Sequence, residues 1–253
     1  MPSILITGCS SGFGLETARR FLDRGWTVVA TMRTPDTDVL PASDNLRILP
    51  LDVTDRESIA RAVADAGPID VLVNNAGFGA AVPTELIAFE TARALFETNT
   101  LGTLAMIQAV LPQFRERRAG TIINVTSSVT FRPLPLVSVY RASKAAVNAL
   151  SESLAAEVAP LGIGVHVVLP GGSPETRFAD SAMPHLRGRD NSDYAPLIET
   201  MMGHFQMTDR PVTHATDVAD AVWKAATDPN APLKIAAGED AEQWMAEAGQ
   251  PLT

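Results

Sequence analysis

The segment Tyr140-Arg141-Ala142-Ser143-Lys144 places a phenol and an ammonium four residues apart, on one face of a helix and one turn from each other. A free tyrosine titrates near ~10, so acid–base work at neutral pH requires the phenolate to be favoured by roughly 4 kcal/mol. An ammonium held close by supplies ~1–3 pKa units of that shift. The pair alone is therefore marginal, and a second positive charge beside the phenol would make it sufficient. Upstream, Ile122-Ile123-Asn124-Val125-Thr126-Ser127-Ser128 is an apolar run that ends in hydroxyls. At the carboxyl end of a parallel strand, a serine can bond a carbonyl oxygen and hold it beside the tyrosine. The plainer alternative, a serine that only turns the chain out of the strand, suits one of Ser127 and Ser128.

A second chemistry is written at the start of the chain. Thr7-Gly8-Cys9-Ser10-Ser11-Gly12-Phe13-Gly14 follows an apolar run and opens a helical pattern. Gly8, Gly12 and Gly14 permit a tight turn and close approach of backbone to a pyrophosphate. The N–H groups of Ser10, Ser11 and Phe13, with the helix dipole behind them, attract phosphate. The spacing is T-G-x-x-x-G-x-G rather than G-x-G-x-x-G, and the Lys-Ser/Thr ending of a P-loop is missing. Strand, glycine turn and helix in succession point to a dinucleotide site, with a plain left-handed turn as the alternative. The next apolar run ends Val28-Val29-Ala30-Thr31-Met32-Arg33. Met32 stands where an NAD site would place an acid for the ribose 2′-hydroxyl, and Arg33 can pair with a 2′-phosphate. NADP(H) is therefore expected in preference to NAD(H). Asp36 and Asp38 nearby argue the other way, and a solvated loop arginine is the alternative for Arg33.

Alternating elements must position these groups. Short β-rich runs fall at Ser3–Thr7, Thr27–Thr31, Leu46–Leu51, Ile69–Val73, Thr121–Thr126 and Ile163–Leu169. Helical spacing fills Leu15–Arg24, Arg56–Ala66, Thr91–Arg118 and Val139–Pro160. Strands that are apolar throughout are covered on both faces. The expectation is an α/β fold, one Rossmann-type doubly wound parallel sheet flanked by helices, with right-handed crossovers. Residues 172–213 break the rhythm and are expected to form a helical excursion or substrate lid. A helix near Ala215–Thr227, a strand near Leu233–Ala236 and a helix near Ala241–Ala248 follow. No linker or internal repeat interrupts the chain, so residues 1–253 are expected to be a single domain.

Composition narrows the possible partners. Twenty Lys and Arg against 29 Asp and Glu leave a formal charge of −9, which argues against nucleic acid. No apolar stretch approaches the roughly 20 residues that span a bilayer, and the N-terminus carries no signal-peptide pattern. Cys9 is the single cysteine, which fits a reducing compartment, and a cytoplasmic location is expected. His166 is expected to be structural, and His185, His204 and His214 lack ligand spacing, so no metal site is expected. Cys9 is expected to be a packing residue, and Arg115, Arg117 and Arg118 an exposed helix end. Phe178, Met183, Met201, Met202, Phe205 and Met207 either line a substrate pocket or pack the excursion on the sheet.

Taken together, these residues resemble the classical short-chain dehydrogenases/reductases, in family order and over nearly the whole chain. The matches are Thr7–Gly14, Asp52-Val53, Asn74-Asn75-Ala76-Gly77, Asn99, Ser127, Tyr140, Lys144 and Pro170-Gly171. The resemblance implies that Tyr140 is the general acid/base and that Lys144 lowers its pKa and bonds the nicotinamide ribose. It implies that Ser127, thirteen residues before the tyrosine, orients the carbonyl or alcohol, and that Asn99 holds a water linking Lys144 to solvent. Asp52 and Val53 would flank the adenine, and Asn75, Ala76 and Gly77 would line the cofactor. The family pattern of Pro-Gly, three residues, then Thr is one residue longer here, so either Thr176 or Ser173 would reach the carboxamide. The cofactor turn and the Met32-Arg33 step are most similar to the NADP(H)-using branch with 17β-hydroxysteroid and retinol dehydrogenases, which implies an apolar carbonyl or alcohol substrate. A nicotinamide-recycling epimerase or dehydratase, and a non-catalytic NADP(H)-binding regulator, are the competing readings. A homodimer or homotetramer is expected through the long helices, on Ala145, Ala146, Ala149, Ala155 and Ala156, unless those alanines face the sheet.

Overall fold

Unbroken runs of Ile, Leu and Val favour extended chain with both faces covered, and they form the centre of the structure. The structure, a computed structural model, describes residues 1–174, 176, 182–206 and 211–249, without the side chains of 204–206. Within these residues the strands are β1 (Ser3–Thr7), β2 (Thr27–Met32), β3 (Leu46–Pro50), β4 (Val71–Asn74), β5 (Gly120–Val125), β6 (Ile163–Pro170) and β7 (Lys234–Ala237). They form one parallel sheet in the order β3-β2-β1-β4-β5-β6-β7, with Ile4 opposite Val28 on one side and Val71 on the other. The order reverses between β1 and β4. Ligands in such sheets bind beyond the strand ends at that crevice, which puts Thr7 and Asn74 at its floor.

Among the described residues the longer helices are α1 (Gly12–Asp23), α2 (Arg56–Ala66), α3 (Phe89–Phe96), α4 (Gly102–Arg117), α5 (Ser138–Val158), α6 (Ala195–Gln206), α7 (Ala215–Thr227) and α8 (Glu239–Glu247). On one face of the sheet, Phe21 of α1 and Val218 and Val222 of α7 pack on Ile4, Ile6 and Val28. On the other, Met106 and Phe114 of α4 and Leu154 of α5 pack on Leu5, Leu72 and Ile122. Alternate strand residues thus serve two cores, which is the doubly wound, Rossmann-like arrangement expected from the sequence. No helix among the described residues is long and apolar enough to cross a membrane.

Two elements differ from the sequence expectation. The expected helix Thr91–Arg118 is interrupted at Glu97–Leu101 by a wider π turn that carries Asn99. The extra residue in such a turn shifts the side chains around it relative to the regular spiral, and it is held by Thr100, whose hydroxyl donates to the Ser143 carbonyl at 2.9 Å. Between residues 172 and 213 the described helices are α6 and a short 3₁₀ turn at Met183–His185, with irregular chain between them. Met201 and Ile198 of α6 bury themselves against Leu136, with Met202 partly covered beside them, whereas Met183 is exposed. Phe178 and Met207, and the side chain of Phe205, lie outside the described residues.

Candidate active site

The glycine-rich turn leaves β1 and enters α1 with little room to spare. Gly8 and Gly12 have φ of +76° and +59°, a region costly for side chains with a Cβ. A Cβ on Gly14 would lie 2.4 Å from the Gly8 carbonyl oxygen, so the first helical turn can sit on the strand end only without one. Ser11, which precedes α1, makes no side-chain capping bond. The first-turn N–H groups therefore border the cavity beside them, as an anion site requires. The Thr7 hydroxyl accepts the N–H groups of both Asn75 and Ala76 at 2.9 Å. The Asn75 amide donates back to the carbonyls of Thr7 and Gly8 at 2.9 and 3.1 Å. This reciprocal set locks the end of β4 to the turn.

From the turn, a cavity of about 1090 Å³ runs to Tyr140 and Lys144. Asn99, Ser127, Tyr140 and Lys144 are 1, 7, 6 and 6% exposed, and the structure gathers all four at its inner end. The Lys144 ammonium donates to the Val125 carbonyl at 3.0 Å, at the tip of β5. Asn99 is spanned by Phe78: its Oδ1 accepts the Phe78 N–H and its Nδ2 donates to the Phe78 carbonyl, both at 3.0 Å. Nδ2 also donates to the Ser143 hydroxyl at 3.1 Å, and that hydroxyl donates to the Tyr140 carbonyl at 2.7 Å. Gly77 fits between the two functional groups. A Cβ there would stand 2.8 Å from Asn99 Oδ1 and 3.2 Å from Lys144 Nζ.

Burial sets the protonation of this inner end. It pushes the Tyr140 phenol up to about 12, opposed by the weaker pull of the hydrogen bond with Ser127. It draws the Lys144 ammonium down to about 8. Both groups are displaced toward their neutral forms, as a low-dielectric enclosure demands. Among the protein's own groups, desolvation therefore outweighs the lowering of Tyr140 that the sequence argument assigned to Lys144. Tyr140 is held as a proton donor at neutral pH, and Lys144 titrates close to neutrality.

The outer end of the cavity is open. Arg33 is exposed at the end of β2 and borders the cavity together with Met32, Asp52 and Val53. The Asp52 carboxyl is held below its usual range first by the Thr54 N–H, then by the Thr54 hydroxyl, with a smaller contribution from the Arg33 charge. Asp36 turns toward its own loop, accepting the Asp38 N–H at 3.0 Å, and among the described residues neither aspartate pairs with Arg33.

The chain matches the sequence model of the family described as short chain dehydrogenase over residues 2–186. The chain belongs to that family. It is 35% identical to the 3-ketodihydrosphingosine reductase of Bacteroides thetaiotaomicron, over 93% of this chain and 87% of that protein. The crystal structure of a short-chain dehydrogenase from Streptomyces avermitilis matches with a TM-score of 0.85 at 34% identity, covering 97% of this chain and 91% of that one. A short chain dehydrogenase from Burkholderia cenocepacia in complex with NADP matches with a TM-score of 0.77 at 28% identity, covering 98% and 93%. This short-chain dehydrogenase is accordingly an oxidoreductase.

Several residues that position the dehydrogenase site carry no local signal in the sequence. Arg141, inside the Tyr140–Lys144 segment, donates from Nε to the Val129 carbonyl at 2.9 Å and so holds the turn after Ser127. Ser127 accepts the Val129 N–H at 3.3 Å in that same turn, whereas the buried Ser128 hydroxyl has no partner among the described residues. The geometry thus separates two neighbours that the sequence leaves similar: Ser127 is the one in contact with Tyr140. His185 borders the cavity and faces Phe78, their rings 5.8 Å apart. Thr176, one residue later than the family spacing, reaches the cavity wall and lies against Gly12. The carbonyl of Ser173 accepts its hydroxyl at 3.1 Å. Pro170 ends β6, and Gly171 points away from the cavity toward α8.

The remaining side chains have plainer surroundings. His166 bonds the Pro232 carbonyl at 2.8 Å through Nδ1. Cys9 is fully buried, and burial pushes its thiol up to about 12, which leaves it an unreactive packing group. Arg115, Arg117 and Arg118 are exposed at the end of α4, as expected, where Arg117 also bonds the Ile69 carbonyl and Arg118 the Pro160 carbonyl. Ala145, Ala149 and Ala156 of α5 are exposed, with Ala146 and Ala155 partly covered. Among the described residues no three His, Cys, Asp or Glu side chains gather as metal ligands would.

Proposed function

We propose that this dehydrogenase transfers a hydride between NADP(H) and a ketone or secondary alcohol of apolar character. One observation carries the reading: a buried phenol, hydrogen-bonded with Ser127 and one helical turn from a buried ammonium, ends a cavity that begins at a glycine-rich helix N-terminus. That cavity fits a dinucleotide. Its phosphates would meet the N–H groups of Ser10, Ser11, Gly12 and Phe13, and Asp52 and Val53 would flank the adenine. Arg33 would pair with a 2′-phosphate, which Asp36, turned into its own loop, leaves accessible. Ala76 and Gly77 would line the nicotinamide half, with Thr176 at its carboxamide.

NADPH held there would supply a hydride for the carbonyl carbon. Ser127 holds the carbonyl oxygen, and Tyr140, protonated at neutral pH, gives that oxygen its phenolic proton. Lys144 returns a proton to Tyr140 and would hold the ribose, its displacement to about 8 keeping gain and loss of a proton both accessible near neutrality. Asn99 keeps Phe78 and Gly77 against Lys144, and the second lone pair of its Oδ1 would accept a water through which Lys144 regains its proton from solvent. The ketone reading draws support from the 3-ketodihydrosphingosine reductase relative, and the apolar character from Phe78 on the cavity wall.

The whole chain, residues 1–253, acts in this reading as one domain with 172–213 as the substrate lid. The exposed alanines of α5, with Phe96 at the end of α3 and Leu101 in the π turn exposed as well, would offer the face for a homodimer or homotetramer. The cytoplasm, where the lone Cys9 stays reduced, is the proposed location. Fluorescence titration with NADPH and NADH, followed by a panel of apolar ketones monitored at the NADPH absorbance, tests the assignment. Tight NADPH binding with turnover of at least one ketone is expected. Binding without turnover of any carbonyl or alcohol would favour the regulator, and conversion without net NADPH loss the epimerase or dehydratase.

A further inference from the structure

The two ends of the 172–213 segment meet at a buried carboxylate. Gly172 and Thr213 are joined by backbone, the Thr213 N–H donating to the Gly172 carbonyl at 2.9 Å. Gly171 donates its N–H to the Thr213 hydroxyl at 2.8 Å. That hydroxyl, fully buried, has two acceptors at 2.8 Å for its one proton, the Ala237 carbonyl and Asp240 Oδ1. Asp240 Oδ2 accepts the Gly172 N–H at 2.6 Å. Asp240 is 8% exposed and stands in the first turn of α8, where the helix dipole favours an anion. Among the described residues it has no ion-pair partner, so donors from both ends of the segment satisfy its two oxygens.

Two glycines make room for this arrangement. A Cβ on Gly171 would lie 2.1 Å from Asp240 Oδ1, and one on Gly238, at φ +95°, would lie 2.1 Å from the Thr213 hydroxyl. The glycine of Pro170-Gly171 is thus required by the carboxylate packed on it, on the side away from the cavity. Downstream of the junction, the Ser173 carbonyl accepts the Thr176 hydroxyl, and Thr176 rests on Gly12. A buried carboxylate on the C-terminal helix is therefore linked, through three short steps of chain, to the wall of the cofactor cavity.

We propose that Asp240 is a positioning residue: through Gly171, Gly172 and Thr213 it pins both ends of the 172–213 segment and sets where Thr176 stands along the cavity. This rests on the proposed dinucleotide role of that cavity. Asp240 touches neither the reacting atoms nor the cavity, so its loss acts on binding more than on the chemical step.

The test compares Asp240→Ala, Asp240→Asn and Thr213→Val with the wild type in NADPH dissociation constant, KM, kcat and melting temperature. Asp240→Ala is expected to raise the NADPH dissociation constant and the substrate KM about tenfold while kcat falls less than about threefold. Asp240→Asn should stay within about twofold of wild type. Its amide oxygen can accept the Gly172 N–H, and its NH2 can donate to the Thr213 hydroxyl, whose proton then goes to Ala237. Thr213→Val should fall between the two. If Asp240→Ala fails to fold, Thr213→Val with raised KM beside a near-normal Asp240→Asn still supports the proposal. Lowered melting temperatures with unchanged binding and KM would reduce the clamp to a structural role and overturn it, as would an Asp240→Asn as impaired as the alanine variant. A wild-type protein that binds no NADPH would instead overturn the cofactor reading, independently of the variants.

Discussion

The two ends of the cavity are built on opposite terms. At the inner end, Asn99, Ser127, Tyr140 and Lys144 are buried, and the protein's own backbone holds nearly every polar atom. At the outer end, Arg33 is exposed and Asp52 is satisfied by its neighbour Thr54. The inner end obtains its chemistry from desolvation, which displaced both titrating groups by moving them out of water. The outer end can act only through charge in a wet environment, where salt screens it within about 10 Å at 0.1 M. Effects at the inner end should therefore be large, dependent on pH and indifferent to salt, and those at the outer end smaller and sensitive to salt.

Lys144→Met gives the largest expected effect, and in two directions. Turnover should be lost, because the proton return to Tyr140 and the ribose contact disappear together. Stability should rise. A lysine whose folded pKa is depressed from 10.5 to about 8 contributes stability that is present above the unfolded value and lost as pH falls through about 8. At pH 7 the charged, buried Lys144 is thus a burden of up to ~3 kcal/mol, offset by ~1 kcal/mol for its bond to the Val125 carbonyl. The methionine variant should melt higher at pH 7 by roughly 5 °C, and this advantage should vanish toward pH 10.5. A lower melting temperature at pH 7 would show that burial does not tune the inner end.

Arg33→Ala probes the outer end, with a smaller effect. NADPH affinity should fall about tenfold and NADH affinity less than twofold, the size of one charge-assisted pair in water. Raising the salt from 0.05 to about 0.5 M should shrink the difference between variant and wild type. Equal losses for both cofactors would remove the 2′-phosphate role, and a difference indifferent to salt would erase the contrast between the two ends.

Most of the scaffold was legible because it rests on local patterns. Apolar runs marked β1 to β6 within two residues at either end, and Arg56–Ala66 and Ala215–Thr227 were bounded correctly by their periodicity. The candidate residues that border one cavity were legible where they are contiguous, as in Thr7–Gly14 and Tyr140–Lys144. What escaped is held together across the chain. The π turn at Asn99 is invisible because helical spacing continues on both sides of it. The hydroxyl of Thr7 finds its partners 68 and 69 residues on, and Asp240 meets Gly172 across 68 residues. Nothing in the composition near either member announces such pairings. Residues 172–213 resisted for a further reason: Ile198, Met201 and Met202 do share one face of α6 against Leu136, but the irregular chain before that helix has no period, and the ends of the segment are held by Asp240, distant in sequence.

The central claim is that a buried, protonated Tyr140 delivers the proton at the inner end of a dinucleotide cavity. Turnover of the best ketone by Tyr140→Phe, measured at saturating NADPH beside the NADPH dissociation constant of the same variant, tests it most directly. The expected result is loss of turnover by at least about a thousandfold with the dissociation constant within about threefold of wild type. Retained turnover, with cofactor still bound, would contradict it.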